Sequence, residues 1–146
     1  MIDYLKYRLK LSKLFKKREK IRKAFANNIR RARKQSEKPE EIQEIESSAW
    51  FEDDVLNEEI SILVTNYLVR KANRYFISIP LHKEKNMWEQ CHTISNRYIL
   101  TNAGIRKLRS SIRSEQKEEI DFIFKLLVAL TGIIGALTGL AAILLK

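Results

Sequence analysis

The sequence predicts a mainly α fold with a small β-hairpin, of the α+β class. An N-terminal antiparallel helical hairpin and a β-ribbon precede a long C-terminal helix that runs into a single transmembrane span. Three observations predict it. Residues 126–145, LLVALTGIIGALTGLAAILL, hold no charged side chain and no proline. Twenty helical residues at 1.5 Å each reach roughly 30 Å, the thickness of a bilayer's hydrocarbon core. Residues 1–38 carry fifteen Lys/Arg and three Asp/Glu, whereas residues 39–60 carry nine Asp/Glu and no Lys/Arg, so two neighbouring segments are charged to attract each other. Between them and the apolar run lie two short stretches rich in aromatic and β-branched residues, RYFISIP at 74–80 and RYIL at 97–100, the composition of strands. The expected organisation is a helical hairpin at 1–72, a β-hairpin with a long polar loop at 73–100, a stalk helix at 101–121 and a membrane anchor at 122–146.

Residues 4–34 contain no glycine or proline, and Leu14, Ile21, Phe25, Ile29 and Ala32 fall near one stripe of a 3.6-residue period. Leu5, Leu9 and Leu11 extend it less regularly. A turn is expected at 35–38, before Pro39, Glu40 and Glu41. Proline tolerates the first helical turn and carboxylates favour its positive end. The second helix carries Ile42, Ile45, Ala49, Leu56, Ile60, Leu63 and Tyr67 on one face, widened by Val64 and Leu68, with Asn57 offering a point for a break near residue 54. A short connection makes the two helices antiparallel neighbours. Exposed ion pairs contribute only about 0–1 kcal/mol each, so the apolar stripes must supply most of the stability while charge fixes pairing and orientation.

Alternation over 74–80 places Tyr75, Ile77 and Ile79 on one face, inward with Tyr98 and Leu100, and Phe76 with Ser78 on the other. Residues 81–95 are expected to be an irregular loop. Thr101 stands as an N-cap before Gly104 and a helical pattern, Ile105, Leu108 and Ile112, that meets no breaker before the anchor.

The chain has 146 residues, a net charge of +10 and one cysteine, Cys91. That length leaves room for one modest soluble core. The cation excess calls for an anionic partner: headgroups, nucleic acid or an acidic protein. A lone cysteine forms no internal disulfide, and no uninterrupted apolar run marks a secretory signal near the N-terminus. Arg106, Lys107, Arg109, Arg113, Lys117 and Lys125 precede most of the apolar run and Lys146 alone follows it. The expectation is a bacterial-type inner membrane, with the N-terminal domain cytoplasmic and the C-terminus outward.

The segment Tyr98-Ile-Leu-Thr-Asn-Ala-Gly-Ile-Arg-Lys-Leu108 resembles the passage from the last wing strand into the final helix of many winged-helix domains. LTNAGIRKLRSSIRSEQ followed by TGIIGALTGL resembles a group of small, largely uncharacterised bacterial proteins with a C-terminal anchor, which brings no activity with it. Against a winged helix, no three-helix bundle precedes the strands, and a DNA-entering helix would begin Glu58-Glu59, which phosphate repels.

Gly132, Gly135, Gly139 and Ala142 line one side of the anchor, a small-residue face for self-association, with Thr131 and Thr138 placed to hydrogen-bond across the contact. Phe122 and Phe124 fall at headgroup level, and Lys125 is placed to snorkel to water. Lys6, Lys10, Lys13, Lys17, Arg18, Arg22 and Lys34 are the candidates for headgroup or other anion contact; a solvated outer face of the hairpin is the simpler account of part of that charge. His82, Cys91 and His92 lack zinc spacing, and no phosphate loop, nucleophile elbow or paired-carboxylate motif is present, so no metal, no cofactor and no enzymatic activity are expected. Trp50, Phe51 and Trp88 suit packing, though an exposed Trp50 beside Glu52, Asp53 and Asp54 would suit a partner contact. The expected function is a non-enzymatic, oligomerising membrane-anchored scaffold or adaptor for an unidentified protein partner. A membrane-disrupting or pore-forming effector is the first alternative. A membrane-tethered nucleic-acid binder is the second and is not favoured.

Overall fold

A computed structural model describes residues 2–35, 38–94 and 96–144, the side chains of residues 139 and 141–144 excepted. Helices α1 (Ile2–Lys34) and α2 (Pro39–Arg74) are followed by strands β1 (Trp88–Gln90) and β2 (Tyr98–Leu100) and by helix α3 (Asn102–Leu144). The fold is α+β and dominated by its helices.

Along α1, Tyr7, Leu11, Leu14, Arg18, Ile21, Phe25 and Ile29 are half-buried and Ala32 is buried. Those spacings of three and four make the seam of an antiparallel coiled coil with α2. Leu11 thus joins the stripe, whereas Leu5 and Leu9 stay 55% and 63% exposed. Pro39 opens α2 with Glu40 and Glu41 in its first turn, and the helix runs through Asn57 without interruption. Its second half is buried on two sides, because Ile60, Val64, Leu68 and Ala72 form one core with Trp88, Leu100, Leu108 and Ile112.

Residues 74–80 are not a strand. Helix α2 absorbs Arg74 and closes by a Schellman turn, in which the N–H groups of Ile77 and Phe76 donate to the carbonyls of Ala72 and Asn73 at 3.0 and 3.2 Å. Phe76 adopts φ 54°, the left-handed conformation that such a turn requires. The expected alternation nevertheless holds: Tyr75, Ile77 and Ile79 pack on the core, while Phe76 and Ser78 face solvent. What pairs with β2 is β1, antiparallel, with Trp88 opposite Leu100 and Gln90 opposite Tyr98. Trp88 anchors this ribbon by donating its indole N–H to the Pro80 carbonyl at 2.9 Å. Leu100 and Ile99 are buried, and Tyr98, expected inward, is 49% exposed because its face of the ribbon extends past the core edge.

Thr101 caps α3, its Oγ1 accepting from the Gly104 N–H at 3.1 Å. A Cβ on Gly104 would lie 2.4 Å from the Met87 carbonyl oxygen, so only glycine lets α3 start this close to the ribbon. Leu108 and Ile112 seal α3 against α2. Beyond Gln116 every described side chain of α3 is exposed. The helix continues unbroken for 43 residues in all, about 65 Å. It is long and apolar enough to cross a membrane, and none of its most apolar window is buried.

Candidate functional site

Three features outside the apolar half of α3 bear on function, and the first two begin with a side chain that breaks a local pattern. The first is in the hairpin seam. Arg18 occupies a stripe position between Leu14 and Ile21, and Asp53 occupies the facing gap between Ala49 and Leu56. Arg18 donates to both Asp53 oxygens at 2.7 Å and to Asn57 Oδ1 at 3.1 Å. Arg22 donates to the same carboxylate at 2.6 and 2.7 Å. Hydrogen bonds from Arg18 and then Arg22 hold the Asp53 carboxyl well below the usual carboxylate range, against the opposing effect of burial. Two of the candidate anion-binding cations are therefore engaged within the hairpin.

The second is Glu58, expected only as a charge that would repel a DNA backbone. Its side chain is 8% exposed and turns into the loop between the strands. The backbone N–H groups of His92, Thr93 and Ile94 and the Thr93 hydroxyl all donate to it. Burial pushes its pKa up, but these donors outweigh that and lower it. Nothing in the sequence links residue 58 to residues 92–94; the only signal was a carboxylate two positions before Ile60 in the apolar pattern.

The third is a groove of about 840 Å³ where the start of α1, the end of α2 and α3 meet. Lys6 and Lys10 enter it from α1; Arg70, Lys71 and Arg74 enter it from α2. Among the described residues Asp3 is the single carboxylate on its wall, and it pairs with Arg74 at 2.9 Å. Lys71 donates to Gln116 Oε1 at 3.1 Å, fixing the groove against α3. Its floor includes Tyr7 and Tyr67, stacked with ring centroids 3.9 Å apart. Burial raises both phenol pKa values, so at neutral pH both hydroxyls remain donors.

The other candidates are dispersed. Lys13, Lys17 and Lys34 are exposed along α1, outside the groove. Phe122, Phe124 and Lys125 are exposed where the apolar part of α3 begins. A Cβ at Gly132 or Gly135 meets nothing within 4 Å. Gly139 and Ala142 continue that stripe, and their side-chain surroundings lie outside the described residues. Thr131 and Thr138 donate to carbonyls of their own helix, those of Val128 and Gly135 at 2.8 and 2.9 Å, so each hydroxyl offers a neighbouring helix its lone pairs rather than its proton. His82 lies against Trp88 and Tyr98, with centroids 4.3 and 5.4 Å apart. Cys91 is buried, and burial followed by Glu58 and Glu89 raises its thiol pKa, the opposite of an activated nucleophile. Among the described residues no three His, Cys, Asp or Glu side chains converge on a metal position.

Comparison with protein-family models, curated proteins and solved structures finds no match to this chain.

Proposed function

We propose that this chain is a non-enzymatic scaffold held in a bilayer by α3, with its helical hairpin standing away from the membrane to recruit a protein partner. One observation carries the reading: the apolar half of α3 leaves the fold and packs on nothing in it. Burying such a helix takes lipid or a covering on every side, and its length suits lipid. The cations just before the span, Arg106 to Lys125, support a cytoplasmic domain in a bacterial-type inner membrane. The exposed small face at Gly132 and Gly135 supports self-association within the bilayer. Trp50 and Phe51, 76% and 62% exposed on α2, lie beyond the part of the hairpin that touches α3 and supply apolar anchor points for a partner.

The test is fractionation of the full-length chain. The reading expects it to stay in the membrane pellet through an alkaline carbonate wash and to enter the supernatant only with detergent. A defined soluble assembly without detergent would overturn it. Crosslinked oligomers in membranes should disappear in Gly132→Leu with Gly135→Leu while the wild-type chain retains them.

A further inference from the structure

The groove between α1, α2 and α3 lies at the end of the domain that faces the anchor. Lys71 meets α3 at Gln116, and Phe122 lies six helical steps further on, about 9 Å along the helix. The headgroup layer occupies roughly 5–8 Å on each side of the hydrocarbon, so with Phe122 at headgroup level the groove opens on the membrane-facing side just outside that layer, within reach of long lysine and arginine side chains.

Five cations against one carboxylate that is already paired give the groove a strong positive excess. Two tyrosine hydroxyls supply neutral donors beside them. Arginine forks and ammonium groups with phenol donors suit a phosphate ester, whose oxygens accept several charge-assisted hydrogen bonds at once. A mere polybasic surface is a poorer description. On α3 between groove and anchor Glu118, Glu119 and Asp121 outnumber Lys117, so that stretch adds no positive excess to what the groove supplies. Phe76 follows Tyr75 of the groove wall, with its ring turned to solvent, and is 98% exposed in a left-handed conformation. An aromatic ring there is strained and wetted in water, but at home in a bilayer interface.

We propose that this groove binds a phosphate-bearing anionic headgroup, supplied by the leaflet in which α3 is anchored. The proposal rests on the membrane reading above. It makes the domain selective for the lipid around it and clamps the hairpin's base to the bilayer surface.

The test uses full-length protein in detergent micelles, with native mass spectrometry counting retained phosphatidylglycerol or phosphatidic acid against phosphatidylcholine. Wild type is expected to retain the anionic lipids preferentially. Lys10→Glu with Arg70→Glu should lower their apparent affinity about tenfold or more, since each cation is worth roughly fivefold near an anionic headgroup. Lys13→Glu with Lys17→Glu, the same charge change outside the groove, should leave it within about twofold. Circular dichroism separates loss of binding from loss of fold, and Lys10→Gln with Arg70→Gln provides a milder pair if the reversals unfold. In a second arm, glycerol 1-phosphate is titrated alone: thermal protection equal to that given by lipid would keep the phosphate chemistry and move its source to solution. Equal retention of neutral and anionic lipid with no protection by glycerol 1-phosphate would overturn the proposal. So would an equal effect of both charge-reversal pairs. The carbonate wash reports separately on the anchor, because the groove variants should still pellet with the membrane.

Discussion

Glu58 illustrates how one buried carboxylate can organise a loop that has no hydrogen-bond ladder of its own. The loop's N–H groups at His92, Thr93 and Ile94 converge on it, an anion nest filled from within the chain. Its folded pKa is lowered relative to an ordinary 4.5. The stabilisation is therefore fully present above that ordinary value and fades as pH falls through the lowered folded value. Glu58→Gln should cost about 1.5–3 kcal/mol at neutral pH, in the range of hydrogen bonds to a charged group, and flatten the acid limb of the stability profile. Hydrogen exchange at residues 92–94 and thermal unfolding between pH 3 and 7, both in micelles, check it. Phe76 is the converse case, a residue whose local cost has no visible return inside the fold. Phe76→Gly should raise stability in micelles by about 0.5–1 kcal/mol by relieving the left-handed strain. An unchanged or lower melting temperature would contradict that expectation.

At the scale of elements, the hairpin's apolar seam supplies attraction while Arg18 and Asp53 supply register. An apolar stripe slides by a heptad at little cost, but a charge pair half-sunk in the seam matches in one alignment only. Asp53→Leu alone should cost about 1–3 kcal/mol by stranding the Arg18 guanidinium in the seam, whereas Arg22 is exposed and returns to water. Arg18→Leu with Asp53→Leu should recover most of that loss, or exceed wild type, while permitting slipped pairings. Cysteine crosslinking at chosen seam positions of a Cys91→Ser background reads the register, and thermal unfolding reads the stability. The two helices and their antiparallel pairing were legible because charge sign changes at Pro39 while both sides keep a helical period; residues 36 and 37 of the expected turn lie outside the described residues. The lock was legible only as coincident gaps at residues 18 and 53. The first strand was misplaced because the aromatic and β-branched run at 74–80 has strand composition, and composition does not reveal that a helix closing over Ala72 consumes its first residues. The true partner, Trp-Glu-Gln, is too short and too polar to signal itself.

For the whole molecule, α3 divides into a half that belongs to the core and a half that belongs to no part of the fold. A chain ending after Glu119 should remain in the supernatant and melt within a few degrees of the full-length protein in micelles, because no described side chain beyond Gln116 is buried. Aggregation of that truncated chain, or a large fall in its melting temperature, would show that the apolar half stabilises the domain itself. The sequence by itself determined the helices, the N-cap at Thr101, the unbroken run into the apolar segment and the charge opposition of α1 and α2. Each is written in neighbouring residues, as period, cap or sign. Only the tertiary structure decided that Glu58 closes a distant loop, that β1 is the strand beside β2, and that cations from α1 and α2 share one groove above the apolar half of α3. Those features join residues tens of positions apart, and their proximity follows from how the helices cross and where the ribbon seats, which no local pattern encodes.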